Sequence, residues 1–472
     1  MPLPKRVIYI GRTDTTSDPY LLETDNEIGA WVALSHCWGQ GASFTTTTTN
    51  LLERKRGIPF ADFPATFQDA ITISRRLGIK NLWIDSLCII QDSASDWLEQ
   101  SRQMKQVYSN AIVTLVAEAS EDSHSGIFTS ANAGRAKPVH VPFHDGRGNY
   151  SGSLYSQAFH QYFGVAGCYE PGPLSSRAWA LQEDVLSQRI LRYASDQLFW
   201  ACRTSFHPES NPSVFHESQD ISDPRNFRRR TQSSDTEIEK FELLSFWYTI
   251  VRQYRKRQLT FEKDKFPALS GIAMEMAERI KYTYVAGLWL EDIHAGLLWS
   301  TIGTDFCRTP EYVAPSWSWA CLTQLRSSYS YPYPTAHDQD YSRMNIAEIL
   351  RVDVSTVSGD PYGQVTSGML RVRGPSKNIT YWNAKNFNSA AMELRFDVGK
   401  EELDGDILCM QILQGRARDE IFGGISESRS TSCILMKTTI EVEEYQRIGV
   451  AYIKEGSMEL EYGWEMREVT VI

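Results

Sequence analysis

Three short apolar runs separated by two amphipathic stretches constrain the fold of this chain more than any other feature. Trp31-Val32-Ala33-Leu34-Ser35-His36 suits a buried strand, and a loop rich in Gly, Ser and Thr follows from Gly39 to Asn50. Thr66 with Asp69 three residues on predicts a capping box, and Phe67, Ala70, Ile71, Ser74 and Leu77 predict one helix face ending at Gly78. Asn81 to Ile90 is a second strand, apolar enough to be covered on both faces. Ser93 and Asp96 predict the start of another helix, with Trp97, Ser101, Met104 and Tyr108 at helical spacing, before a third strand at Ile112–Val116. Strand, helix, strand, helix, strand predicts a parallel sheet with right-handed crossovers.

The remaining chain reads differently. Leu174 to Tyr193 is a dense mixed segment, and a polar stretch from His207 to Glu239, including Arg228-Arg229-Arg230, reads as a solvated loop. Helical patterning resumes over Phe241–Leu259 and Leu269–Trp299, and a second loop spans Leu325–Tyr341. After Ile346 come short alternating segments such as Gly368–Gly374 and Arg447–Ile453, the pattern of a β-rich part. The expected organisation is an α/β domain over 1–205, a polar linker over 206–240, a helical region over 241–345 packed on the first domain, and a β-rich part over 346–472. A chain of 472 residues is too long for one compact core.

Composition excludes several classes. A net charge of -10 gives no electrostatic case for nucleic acid or an anionic membrane, and 42% hydrophobic with 22% charged residues is the balance of a globular protein. No run of 18 apolar residues occurs, so no membrane span is expected, and the opening MPLPKRVIYIGR lacks the apolar core of a secretory signal. Eight scattered cysteines without a CxxC predict reduced thiols and a cytoplasmic location, with no zinc site. There is no GxxxxGK[ST], GxGxxG after a strand, GxSxG or HExxH, which removes the commonest phosphate-loop, dinucleotide, hydrolase and zincin readings.

Ala33-Leu34-Ser35-His36-Cys37-Trp38-Gly39, the block TFQDAITISRRLGIKNLWIDSLCIIQD, and Leu174 to Leu191 together resemble the fungal heterokaryon-incompatibility (HET) domain family. The likeness extends to Phe266–Gly271, Ala286–Trp289, Ala314–Ala320 and Tyr445–Gly449. It implies a role in non-self recognition, where fusion of unlike fungal cells triggers programmed death. It also implies a TIR-like or flavodoxin-like sheet, with nucleotide-cleaving ancestry in which NAD is a substrate and no cofactor is required. A role in secondary-metabolite biosynthesis and a non-catalytic interaction module, with protein partners or self-association, are the alternatives.

The chain departs from the family pattern at three points. DWxxE would place a carboxylate at 100, where Gln100 stands; Ala178 replaces the Gly of RGW, and Ala201 stands where WEC has Glu. Glu99 is no substitute, because one residue rotates the side chain by about 100° around a helix.

Ligands of open parallel sheets bind beyond the carboxyl ends of the strands, where Ser35, His36, Cys37, Asp85 and Ser86 fall. His36, Asp85 and Glu183 are the candidate catalytic groups: His36 as acid or base, Asp85 to hold a ribose hydroxyl or orient a histidine, and Glu183 as the surviving carboxylate. Ser35, Cys37, Ser86, Gln100, Arg177 and Gln182 are candidate ligand-binding residues, with no metal. The competing reading ties loops down by buried hydrogen bonds, makes Cys37 a core thiol and pairs Arg177 with Glu183 structurally.

Overall fold

The computed structural model describes residues 1–11, 18–39, 44–132, 139–156, 171–209, 237–302, 307–323, 328–330, 344–357, 359–380, 392–397, 406–418, 427–439, 444–456 and 462–472. Most of the polar stretch from His207 to Glu239, with Arg228–Arg230, and most of the Leu325–Tyr341 loop lie outside them, as do Gln40–Ser43 and Cys168. The chain forms two compact units, Met1–Thr231 and Gln232–Ile472.

The elements of the first unit are β1 (Arg6–Tyr9), β2 (Tyr20–Glu23), β3 (Val32–Ser35), α1 (Leu51–Arg56), α2 (Ala65–Arg76), β4 (Asn81–Ile84), α3 (Asp85–Cys88), α4 (Ala94–Asn110), β5 (Val113–Val116), α5 (Ile127–Asn132), β6 (Val139–His144), β7 (Tyr150–Ser156), α6 (Ala178–Leu186), β8 (Arg189–Tyr193), β9 (Leu198–Cys202) and β10 (Phe206–Pro208). Eight of the strands make one sheet in the order β10-β9-β8-β5-β3-β4-β1-β2. The expected parallel sheet is present only at its centre. β8, β5, β3 and β4 run parallel, whereas β1, β2, β9 and β10 add antiparallel edges. Hairpin-length connections such as β8–β9 permit only antiparallel pairing, while helical crossovers link the parallel strands. The chain leaves β3 towards β4 and leaves β5 towards β8, so the order reverses between β3 and β5.

Local expectations fare unevenly. All four residues of β3 are buried, and Leu82, Trp83 and Ile84 of β4 are covered on both faces. The second strand stops at Ile84, six residues short of its expected end. Asp85 opens the one-turn helix α3 instead, its Oδ1 accepting the Ser86 amide at 2.7 Å. The apolar run continues through Leu87 and Cys88, which α3 buries, and such a run is the same for either element. Ser93 caps α4 as expected, accepting the Asp96 amide. Thr66 and Asp69 form no capping box. Thr66 Oγ1 donates to the Asp122 carbonyl and accepts from the Gly126 amide, and Asp69 accepts from the amides of Ile127 and Phe128. These side chains therefore fasten α2 to the loop after β5. Leu77 is exposed, because α2 ends at Arg76.

In the second unit, helices Glu237–Tyr254 and Pro267–Ile280 precede the β-rich part. Trp247, Tyr284 and Trp289 pack edge to face, and Trp299, Trp317 and Trp319 are fully buried. Strands Val365–Thr380, Asp406–Arg418, Glu427–Thr438, Glu444–Lys454 and Glu465–Val471 pair in a closed circuit. Gly368–Gly374 and Arg447–Ile453 lie within these strands as expected. Helical segment and tail share one unit. Arg447 joins them, pairing with Asp397, donating to the carbonyls of Trp299 and Leu297, and lying over the Trp299 ring at 3.5 Å.

Candidate functional site at the strand ends

β3 and β4 run side by side and end level with one another, Leu34 opposite Ile84, so the residues just beyond them are neighbours. His36 Nδ1 lies 3.7 Å from Asp85 Oδ1. Asp85 Oδ2 accepts from Trp38 Nε1 at 2.9 Å, so two donors hold the carboxylate in place. The His36 ring is buried edge-on against Phe67, and neither nitrogen makes a hydrogen bond among the described residues. Burial lowers the imidazole to about 4, which the nearby Asp85 opposes and Arg177 reinforces. At neutral pH His36 is therefore uncharged, and its approach to Asp85 is not an ion pair.

Helix α6 brings the third group. Glu183 is buried, and the hydroxyls of Ser35, the last residue of β3, and Tyr108 of α4 are among the groups that act on its carboxyl. Burial first and Asp85 second push its carboxyl up to about 7, against the pull of Ser35, Arg177 and Tyr108. Arg177, at the N-cap of α6, donates to the His36 carbonyl. Two carboxyl groups in unlike surroundings, one of them held near neutrality, are the arrangement that divides acid and base roles. Asp85 is the most open of the three, with 17% of its side chain exposed.

The structure thus gathers Ser35, His36, Asp85, Arg177 and Glu183. Ser86 adjoins them through its amide, and its buried hydroxyl has no partner among the described residues. Cys37 instead lies in the apolar cluster of Val116, Leu174, Ala180, Ile190, Ala194, Phe199, Ala201 and Phe206. Burial raises its thiol to about 11, a core setting rather than that of a nucleophile. Gln182 is fully buried on α6. Gln100 is buried on α4 with no hydrogen bond for its Nε2 among the described residues, and Glu99 turns outward to Lys5 at 2.6 Å.

Three groups escaped sequence reasoning as site components. Tyr108 showed only a helical period, and Trp38 only its place in the first block. Glu118, two residues past β5, sits at a strand end where the same rule would have found it. It is buried and accepts from Arg192 and from the amides of Gly172 and Ser175, fixing the turn that leads to Arg177. No group of three or more potential metal ligands occurs among the described residues.

Residues 31–183 match the family model described as heterokaryon incompatibility protein (HET). The chain carries a HET domain. Its matched span opens at Trp31 before β3 and closes at Glu183, so it encloses all of the gathered groups. Comparison with curated proteins and with solved structures yields no match. No helix among the described residues is long and apolar enough to cross a membrane.

Proposed function

We propose that this HET domain is a cytoplasmic effector of fungal non-self recognition and programmed cell death, whose strand-end cluster cleaves the N-glycosidic bond of NAD. One observation carries the reading: Glu183, a buried carboxyl raised to about 7, lies within the field of Asp85 where the strand order reverses. A TIR-like ancestry belongs to the same proposal, and the parallel strands β4-β3-β5-β8 support it.

In this scheme nicotinamide leaves with the electrons of the glycosidic bond as water adds to the anomeric carbon. Ionised Glu183 takes the proton of that water, and the products are ADP-ribose, nicotinamide and one proton. Asp85, the exposed member, holds a ribose hydroxyl. His36, neutral at pH 7, supplies a hydrogen-bonding group without adding charge. Gln100 contributes no acid, so the chemistry rests on Glu183. Seven described cysteines are free thiols, in keeping with a reducing compartment.

The test is release of nicotinamide from NAD by the purified protein, with Glu183→Gln and Asp85→Asn alongside. Turnover that both variants retain would reject the site. Absence of turnover in the parent would reject NAD and favour another chemistry, such as a step in secondary metabolism. Overexpression in a fungal host should arrest growth, and healthy cells would count against a death effector.

A second reading, an interaction module, draws on the β6–β7 hairpin. Val139, Val141, Phe143, Tyr150 and Leu154 are all exposed there, an apolar display beyond what isolated surface residues require.

A further inference from the structure

Two half-buried indoles meet at the ends of helices that begin at the strand-end rim. Trp97 lies in the first turn of α4, next to Asp96, whose Oδ2 accepts the Ile90 amide just beyond α3 at 2.8 Å. Trp179 is the second residue of α6, and Arg177 before it donates to the His36 carbonyl. The two rings pack edge to face, with centroids 6.4 Å apart and planes at 89°. Perpendicular planes make a corner, in which a flat ring stacked on one indole meets the other. Indoles that only fill the core of this unit are covered completely, as Trp31 and Trp83 are. The same rim holds buried polar atoms without a hydrogen bond among the described residues: both His36 nitrogens, Ser86 Oγ and Gln100 Nε2. Gln100 follows Trp97 by one turn of α4, and Glu183 follows Trp179 by one turn of α6, spacings that make neighbours on a helix surface.

We propose that Trp97 and Trp179 form a ring-binding corner that takes a pyridine carboxamide, the leaving group of the cleavage assigned to Glu183. The inference rests on that reading of the strand-end site and names what its aromatic wall recognises. A flat heteroaromatic ring gains from stacking on an indole face, whereas a saturated ring of equal size gains only from burial. A carboxamide carries two N–H donors and a carbonyl acceptor, which match the unspent capacity of Gln100, Ser86 and His36. The place beside Glu183 selects the pyridine end of a dinucleotide over its purine end, because the carboxyl serves the anomeric carbon that bears the pyridine. The cations around the corner are engaged elsewhere: Lys5 with Glu99, Arg6 with Asp96 and Arg177 with the His36 carbonyl. Binding makes and breaks no covalent bond.

Nicotinamide itself is the probe, titrated into the purified full chain and followed by proton NMR, so the test needs no turnover. Its ring protons should shift upfield and saturate, with Overhauser contacts to the indole protons of Trp97 and Trp179. Cyclohexanecarboxamide, of like size but not flat, should show no saturable binding. Trp97→Leu and Trp179→Leu should each weaken nicotinamide by about tenfold. Trp97→Phe and Trp179→Phe keep an aromatic face, assign the two indoles and serve if the Leu variants do not fold. Absence of saturable binding, equal binding of the saturated ring, contacts to other indoles, or folded Leu variants that bind like the parent would each overturn the proposal. Adenosine taking these contacts in place of nicotinamide would overturn it too, by giving the corner to the purine end. Failure to release nicotinamide from NAD with the contacts intact would reject the cleavage and leave the corner standing. Cleavage that both Leu variants retain would do the reverse.

Discussion

Each unit of this protein buries a carboxyl whose pKa lies well above its ordinary value, and the two sit in opposite surroundings. Asp397 of the second unit is raised to about 6 by burial, against the pull of Arg447, Arg308 and Arg255. Glu183 of the HET domain is raised to about 7 by burial and by another carboxylate. Arg447 spends its guanidinium on Asp397 and two backbone carbonyls, binding the turn that follows the short helix Ile293–Gly296 to a sheet. Around Glu183 act the hydroxyls of Ser35 and Tyr108, the Arg177 cation and a second acid, Asp85, which opens to solvent and lies beside a His36 imidazole with no hydrogen bond among the described residues. A perturbed carboxyl alone does not mark a site; the sign of its neighbours and their unspent hydrogen-bonding capacity do.

The sharpest test of that contrast is catalytic. Glu183→Gln should lower NAD turnover by about 10²–10⁴-fold, as expected for removal of a general base, whereas Asp397→Asn should leave it unchanged in protein shown to be folded. Equal losses would dissolve the distinction.

Next comes stability. Arg447→Met leaves a buried acid without its cation and should cost about 3–5 kcal/mol in denaturant unfolding of the second unit. A loss below about 1 kcal/mol would show that the pair is not what holds the unit together.

The pH dependence is subtler. Glu183 has its folded value above its ordinary one, so its contribution is fully present below about 4.5 and is lost as pH rises through about 7. His36 has its folded value below its ordinary one, so its contribution is present above about 6.5 and is lost as pH falls through about 4. Between these limits the two slopes oppose each other, each amounting to about 3 kcal/mol at most. The parent stability should therefore vary little from these groups. Glu183→Gln should become less stable as acid is added and His36→Gln more stable, as read by urea midpoints from pH 7 to 4.5.

The smallest effect concerns α2. Leu77→Ser should change stability by less than about 0.5 kcal/mol, because the residue is exposed beyond the helix end. Phe67→Ala, on the buried face of the same helix, should cost about 3–5 kcal/mol.

Much of the layout was legible. β3, β5 and the cap of α4 announce themselves through apolar runs and Ser93, since those signals depend only on residues close in sequence. The same locality explains the errors. Thr66 and Asp69 have the spacing of a capping box, yet amides and a carbonyl some 56 to 60 positions away claim their side chains. Nothing within the run from Asn81 to Ile90 says that the chain turns at Asp85. The strand-end rule found His36 and Asp85, while Tyr108 looked like any core residue on a helix.

Composition and local order alone thus determined an α/β domain with a β-rich companion, and which loops would carry polar groups to one rim. Only the packed chain decided that Glu183, nearly one hundred residues beyond Asp85, would meet it there, and that burial would hold its proton near neutrality. The reason is physical: strand and helix preferences act over a few residues, whereas desolvation and charge coupling exist only once distant segments have closed around a group.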